Sequence, residues 1–123
     1  MKEQWNETGL NKHLGIRIIE AAPDRVVGEL EVGPHLMTTT GAVHGGTLMA
    51  FADTVGAAGT AIAGFKTATL ESKTNFFAAA TAGTLRAEST ALHRGKRSHV
   101  WQTRVTDATG RLLSLTIQTQ MIL

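Results

Sequence analysis

Two side chains that can titrate near neutral pH interrupt the most apolar part of the sequence. Between residues 36 and 65 these are His44 and Asp53, and no residue three or four positions from Asp53 is ionisable. A carboxylate without a helical ion-pair partner is costly in such surroundings unless it is hydrogen-bonded or does chemistry. We therefore interpret Asp53 as a candidate catalytic group. The alternative is that Asp53 marks a narrow solvent-facing stripe with Ala57 and Thr60.

The triplet His44-Gly45-Gly46 stands where a loop meets the start of this apolar segment. The first N–H groups of a helix have no internal partner and carry the positive end of the helix dipole. Because glycine leaves these amides uncovered, a carbonyl oxygen could rest on them as in an oxyanion hole. The alternative is an ordinary glycine-rich helix start with a histidine that only packs.

The spacing of these residues bears on where a site could form. Gly45 and Asp53 are eight residues apart, which is about 12 Å along a helix. A reacting carbon must lie roughly 3 Å from both the oxyanion donor and the attacking group or base. One helix cannot meet both demands, whereas two antiparallel copies can. The spacing therefore predicts a site that lies at a dimer interface and occurs twice.

The elements that must position these groups follow from the apolar pattern. Residues 46–63 are alanine-rich, lack proline and exceed a typical strand, which predicts a helix. Gly56 and Gly59 in it should permit close approach of a neighbouring backbone. Residues 3–14 suggest a weak amphipathic helix, a hairpin is expected around Ala22-Pro23-Asp24, and further strands are predicted at 67–77, 84–93, 98–106 and 111–121. We predict one α+β domain over residues 1–123, an antiparallel sheet of five to six strands wrapped around one long central helix.

The last predicted strand has two distinct faces. Its residues alternate between two faces. One face is formed by Leu113, Leu115, Ile117 and Met121, and the opposite face by Leu112, Ser114, Thr116 and Gln118.

The turn Arg94-Gly95-Lys96-Arg97 places three cations together, which would suit phosphate groups. The alternative for this turn is a solvated hairpin tip that keeps an edge from aggregating.

Composition narrows the class of protein. The chain has 123 residues, a formal net charge of +2, 42% hydrophobic residues and no cysteine. Disulfides, thiol nucleophiles and cysteine-based zinc sites are thereby excluded. No apolar run reaches the roughly 20 residues of a membrane span, and the N-terminus lacks a secretory signal pattern, so we expect a cytoplasmic protein without a membrane partner. With four Phe and two Trp as its aromatics, the chain offers few stacking groups for nucleic acid.

Four motifs follow one another along the chain: Gly41-x-x-His44-Gly45-Gly46-x6-Asp53, Thr69-Leu70-Glu71-x3-Asn75-Phe76, His93-Arg94-Gly95-Lys96-Arg97 and Val105-Thr106-Asp107-x2-Gly110-Arg111. In this order they resemble the hotdog-fold acyl-CoA thioesterases, especially the phenylacetate-degradation (PaaI-like) type. The resemblance covers about residues 10–121. It implies a hotdog fold that dimerises edge to edge and usually forms a dimer of dimers, here a homotetramer.

The resemblance also implies an activity. This is hydrolysis of an aryl- or medium-chain acyl-CoA to the free acid and CoA, without a metal or a bound cofactor. The alternative, from a different class, is a hotdog protein that binds acyl-CoA without hydrolysing it and acts as a sensor.

Residue roles follow from the same resemblance. The Gly45 amide would polarise the thioester carbonyl, and His44 would shape that pocket. Asp53 of the facing subunit would be the nucleophile or the general base. Thr69 matches a Ser/Thr position that helps to place the water.

Further positions would contact the substrate. Gly46 and Thr38 belong to this set, and Thr38 stands where many relatives carry Asn or Gln. The three cations of the turn, Arg94, Lys96 and Arg97, would hold the CoA phosphates, with Arg86 and His93 as supporting contacts. Residues 77–80 replace a Phe-x-Arg-Pro segment that is frequent in relatives. The acyl pocket would be built from residues such as Met49, Phe51, Phe65, Phe76 and Phe77.

Overall fold

The computed structural model describes residues 6–123, so that Trp5 and the first part of the predicted 3–14 helix lie outside the described residues. The elements are helices α1 (Gly9–Leu14) and α2 (Gly45–Ile62), a short 3-10 helix (Pro34–Leu36), and strands β1 (Arg17–Ala22), β2 (Arg25–Glu31), β3 (Thr67–Phe76), β4 (Thr84–Arg94), β5 (Ser98–Thr106) and β6 (Leu112–Ile122). The strands form one antiparallel sheet in the order β1-β2-β4-β5-β6-β3. The predicted α+β class, with one long helix against a six-stranded sheet, is confirmed.

Helix α2 forms as its composition predicts and lies on the inner face of the sheet. Its bounds differ by one residue at each end from the predicted 46–63. Leu48, Phe51 and Val55 are buried and pack in the core with apolar residues of β2 and β4. Burial of these side chains stabilises the fold by roughly 1.5–3 kcal/mol for each large one.

Two glycines allow the sheet to approach α2 closely, but the groups that approach are side chains rather than the expected backbone. A Cβ atom on Gly56 would collide with the amide of Gln118 from β6. A Cβ atom on Gly59 would collide with the indole ring of Trp101 from β5. The glycines therefore accommodate two large buried side chains of the sheet.

Strand β6 turns its polar side towards the helix. The residues buried on that side are Ser114, Thr116, Gln118 and Gln120. Ile117 and Met121 lie on the outer face of the sheet and are each about 40% exposed, at 41% and 40%. The predicted alternation holds from Ser114 to Met121, but Leu113, predicted on the face of Leu115 and Ile117, is fully buried in the core. In the inward row, Thr116, Gln118 and Gln120 hydrogen-bond with polar groups of α2 and β3. The Ser114 hydroxyl has no partner among residues 6–123.

Strand β3 is an edge of the sheet. It pairs with β6 along one side, and most of its ten residues are exposed. An unpaired edge presents free backbone N–H and C=O groups to another chain. The predicted turn at 94–97 joins β4 to β5, and residues 107–111 join β5 to β6. No helix among residues 6–123 has the length and apolarity that crossing a membrane requires.

Candidate active site

The Asp53 carboxylate lies between α2 and the β3–β6 edge of the sheet. Its Oδ1 accepts hydrogen bonds from the Thr69 hydroxyl at 2.6 Å and from the Gln118 side-chain amide at 3.0 Å. Its Oδ2 accepts none from residues 6–123. Asp53 is half-buried, so one oxygen is anchored by two donors while the other is available to a further partner.

The side of α2 that carries Asp53 is open in a single protomer. Ala57 is half-buried like Asp53, whereas Thr60 is fully buried on the sheet side. A solvent-facing stripe with Ala57 and Thr60, the alternative interpretation of the sequence, is therefore wrong for Thr60. Beside Asp53 a groove of about 250 Å³ is lined by Asn11, Thr54, Ala57, Ala58, Ala61 and Thr67.

The start of α2 holds a second part of the site. His44 is the N-cap residue, and its Nδ1 accepts a hydrogen bond from the Gly46 N–H at 2.7 Å. This bond requires an unprotonated Nδ1, so the neutral imidazole carries its proton on Nε2. The Gly45 N–H donates to no acceptor within the described residues. Of the two glycine amides expected to be uncovered, only that of Gly45 is free, because His44 occupies that of Gly46.

The free amide opens into an apolar corner. The Phe76 ring covers Gly45, since a Cβ atom there would sit 3.3 Å from the ring. A groove of about 390 Å³ at this corner is lined by Val43, Gly45, Leu48, Phe76, Phe77, Ala78 and Ala79. Phe76 and Phe77 are half exposed, at 50% and 57%. An apolar group next to an unpaired N–H donor suits an acyl chain with its carbonyl.

Not every expected pocket residue lies in these grooves. Phe51 is fully buried in the core, and Phe65 makes an edge contact with the His99 ring. Thr38 uses its hydroxyl within its own turn, where it bonds with the Thr40 hydroxyl and accepts from the Thr40 N–H. The structure thus gives Thr38 a local role in the loop before α2.

The cationic turn lies beyond the C-terminal end of α2. The Arg94 guanidinium donates to the Pro23 carbonyl, while Lys96 and Arg97 are exposed and make no ion pair within residues 6–123. Two of the three cations are therefore available to an anion. Arg86 lies elsewhere, on the outer face of β4, with its side chain 3.4 Å from Glu88.

A buried histidine lies between this turn and α2. His99 is 3% exposed, and its Nδ1 is 3.0 Å from the Thr60 hydroxyl oxygen. Burial lowers the pKa of His99, and the positive charge of Arg94 and His93 lowers it further. This region therefore favours a neutral imidazole.

Sequence reasoning missed Gln118 as a site residue and did not consider Gln120. Both are fully buried, and Gln118 donates directly to Asp53. The available signal was the run Gln118-Thr119-Gln120, which continues the polar face begun by Ser114 and Thr116. Within residues 6–123 no cluster of three or more His, Asp or Glu side chains is placed to hold a metal ion.

Comparison with known proteins identifies the family. The model of the Thioesterase superfamily matches residues 40–114, which is more than half of the chain and includes both parts of the site. The chain therefore belongs to this superfamily, and it is a thioester hydrolase.

Individual relatives agree with this assignment. A 1,4-dihydroxy-2-naphthoyl-CoA hydrolase from Listeria monocytogenes is 32% identical over 110 residues, which is 87% of this chain and 89% of that protein. A thioesterase from Haemophilus influenzae superposes with a TM-score of 0.93 at 23% identity, covering 100% of this chain and 90% of that one. A hypothetical thioesterase protein from Streptococcus pneumoniae, solved with coenzyme A, gives a TM-score of 0.85 at 22% identity, covering 88% and 85%. The architecture is the hotdog fold.

Proposed function

We propose that this thioester hydrolase is a PaaI-like acyl-CoA thioesterase whose active site forms between two protomers. The observation that carries the proposal is the separation of two incomplete half-sites on one helix. Asp53 has a free Oδ2 and Gly45 has a free N–H, yet eight residues of α2, about 12 Å, separate them. A second protomer would supply to each half-site the group it lacks.

The edge strand offers a way to join the half-sites, because each of them touches β3. Thr69, near its start, donates to Asp53, and Phe76, at its end, covers Gly45. Antiparallel pairing of two β3 strands centred on Lys73 would place Phe76 of the second protomer opposite the irregularity between Thr69 and Glu71. Such pairing also makes the two α2 helices antiparallel and satisfies the unpaired backbone edge.

The chemistry would begin with the thioester carbonyl oxygen on the Gly45 N–H. In one route, Asp53 Oδ2 attacks the carbonyl carbon, CoA leaves as a thiolate, and water hydrolyses the resulting anhydride. In the other route, Oδ2 takes a proton from a water that attacks the carbonyl carbon directly. Because a thiolate is a good leaving group, neither route needs a strong general acid. A single turnover in ¹⁸O-water distinguishes them, since only the anhydride route leaves label in Asp53.

The substrate would lie along the helix and span both protomers. The groove beside Asp53 runs past Ala57 and Ala61 towards the turn with Lys96 and Arg97. The pantetheine arm of CoA would bind in this groove, and the CoA phosphates would bind at the turn. The apolar corner of the second protomer would take the acyl group. Supporting this, a structural relative was solved with coenzyme A, and a sequence relative is named as a hydrolase of an aryl-CoA.

The acyl group is aryl or medium-chain, since two phenyl rings and aliphatic side chains line the corner. Release of CoA thiol from a panel of aryl- and alkyl-CoA esters would rank the two classes. Dimers would associate further into a homotetramer through the apolar outer row of β6, which includes Ile117 and Met121.

Complementation between two inactive variants tests the shared site. Asp53→Asn removes the reacting oxygen, and Gly45→Pro removes the N–H while adding a Cβ atom 3.3 Å from the Phe76 ring, which must move slightly. Proline is well tolerated at the first position of a helix, and the preceding His44 has an extended ψ of 137°, which proline requires. A mixed dimer contains one site with both defects and one intact site. Isolated mixed dimers should therefore have about half the activity of wild-type dimers, and absence of any recovery in them would contradict the shared site.

A further inference from the structure

We propose that Gln118 and Gln120 are positioning residues that hold the Asp53 carboxylate by Oδ1 and so select Oδ2 as the reacting oxygen. This inference rests on the proposed role of Asp53. Neither glutamine lies in a groove, since both are fully buried on β6, and each acts through another residue.

Gln118 contacts Asp53 at two points. Its Nε2 donates to Oδ1 at 3.0 Å and lies 3.3 Å from the Asp53 carbonyl oxygen. A side chain that binds both the carboxylate and the main chain of one residue restricts rotation of the carboxylate about its side-chain bonds. Gly56 makes this position possible, because a Cβ atom there would occupy the space of the Gln118 amide.

Gln120 determines which way the Gln118 amide points. The Gln120 Oε1 accepts from Gln118 Nε2 at 2.8 Å, and the Gln120 Nε2 donates to the Thr67 hydroxyl at 3.0 Å. Thr67 in turn donates to the Met121 carbonyl, which can only accept. The direction of every bond follows from that carbonyl, so the Gln118 donor, rather than its oxygen, must face Asp53.

Thr69 connects the carboxylate to Gln120. Its single hydroxyl proton has two acceptors within reach, Asp53 Oδ1 at 2.6 Å and Gln120 Oε1 at 2.7 Å. Both side chains that donate to the carboxylate, Thr69 and Gln118, meet Oδ1. Within residues 6–123 no donor meets Oδ2, so the network leaves that oxygen open.

The test is a graded series of variants along β6. Gln118→Met keeps the length of the side chain and removes the donor to Asp53, so kcat should fall about 10- to 100-fold, the range of one hydrogen bond to a charged group, with KM unchanged. Gln120→Met removes only the group that orients Gln118 and should cost less, about 3- to 10-fold in kcat. Thr116→Val, a matched control, removes a buried hydroxyl on the same face that bonds to Thr74 and should leave kcat unchanged.

A purely structural role makes a different prediction. If these side chains only stabilise the fold, the thermal midpoint should fall in all three variants. At temperatures where each variant is folded, kcat should then not differ among the three. Wild-type kcat in Gln118→Met, or equal losses in all three variants, would overturn the proposal. If Gln118→Met does not fold, Gln118→Asn provides the same test, since it keeps a buried amide but shortens its reach.

One further variant distinguishes failure of this positioning role from failure of the proposed function. Asp53→Asn assayed alongside should be inactive. If it is inactive while Gln118→Met turns over normally, only the positioning role is lost. If Asp53→Asn itself turns over normally, the proposed catalytic role of Asp53 is wrong.

Discussion

Two contacts between α2 and the sheet are built in the same way, but the groups that they hold lie in different environments. At Gly56 the sheet inserts Gln118, and three residues later, at Gly59, it inserts Trp101. Each inserted side chain donates to a polar residue of the helix, Gln118 to Asp53 and Trp101 to Thr60. The Gly56 contact ends at a half-buried carboxylate with a free oxygen, whereas the Gly59 contact ends at a fully buried hydroxyl.

The difference lies in what surrounds the acceptor. The Thr60 hydroxyl accepts from Trp101 Nε1 at 2.9 Å and shares a hydrogen bond with His99 Nδ1 at 3.0 Å, so these three polar atoms are paired within the core. Asp53 lies beside the open edge strand β3, and a groove adjoins it. The same kind of buried donor therefore completes a closed network at Gly59, whereas at Gly56 it holds a carboxylate whose second oxygen has no partner among residues 6–123.

The largest effect is expected from the open contact. Asp53→Asn should lower kcat about a thousandfold or more, the scale of a lost general base or nucleophile. Affinity for CoA should remain close to wild type, because the cations of the 94–97 turn are untouched. Steady-state kinetics and calorimetry with CoA measure the two quantities. If Asp53→Asn turns over near the wild-type rate, the Gly56 contact has no more influence on catalysis than the Gly59 contact.

At the closed contact the effect should appear in stability. Thr60→Val keeps the shape of the side chain but leaves the Trp101 N–H and the His99 Nδ1 without a partner. The free energy of unfolding should fall by about 2 kcal/mol, with kcat unchanged. Urea denaturation measures it, and Thr90→Val on β4 should change stability by less than about 0.5 kcal/mol. A loss of kcat in Thr60→Val without a loss of stability would mean that the Gly59 contact also affects turnover.

The closed contact should also respond to acid. Because the pKa of His99 is lowered in the folded protein by burial and by neighbouring positive charge, the unfolded chain, with an ordinary pKa of about 6.5, takes up the proton first. Stability is then complete above about pH 6.5 and falls as the pH drops towards the lower folded pKa. His99→Gln should reduce the difference in unfolding free energy between pH 7.5 and 5.5. The exposed His35→Gln, in the 3-10 helix before α2, serves as the comparison, and an equal reduction there would contradict this assignment.

The smallest effect is expected at the turn beyond the closed contact. Lys96→Ala should raise KM for an acyl-CoA about two- to fivefold at low ionic strength, and the difference should shrink in high salt because exposed charges are screened. Lys12→Ala removes an exposed cation from α1, away from the turn, and should leave KM unchanged. Equal KM values for Lys96→Ala and wild type at low salt would favour a solvated hairpin tip.

Part of the candidate site could be predicted because its signals are local. Asp53 and His44 are the ionisable residues of one apolar segment, and the glycines follow His44 directly. Gln118 and Gln120 could not be assigned in this way. Alternation along β6 shows which residues share a face, but the face that meets the helix depends on pairing with β3 and β5.

The amino-acid sequence alone determined the helix, the strands, the family motifs and the eight-residue separation of Gly45 from Asp53, because each of these depends on neighbours along the chain. Only the tertiary structure decided that the polar face of β6 lies under α2 and that one oxygen of Asp53 is held while the other is free. These outcomes depend on contacts between residues far apart in the chain, such as the 65 positions between Asp53 and Gln118, which local propensity does not determine.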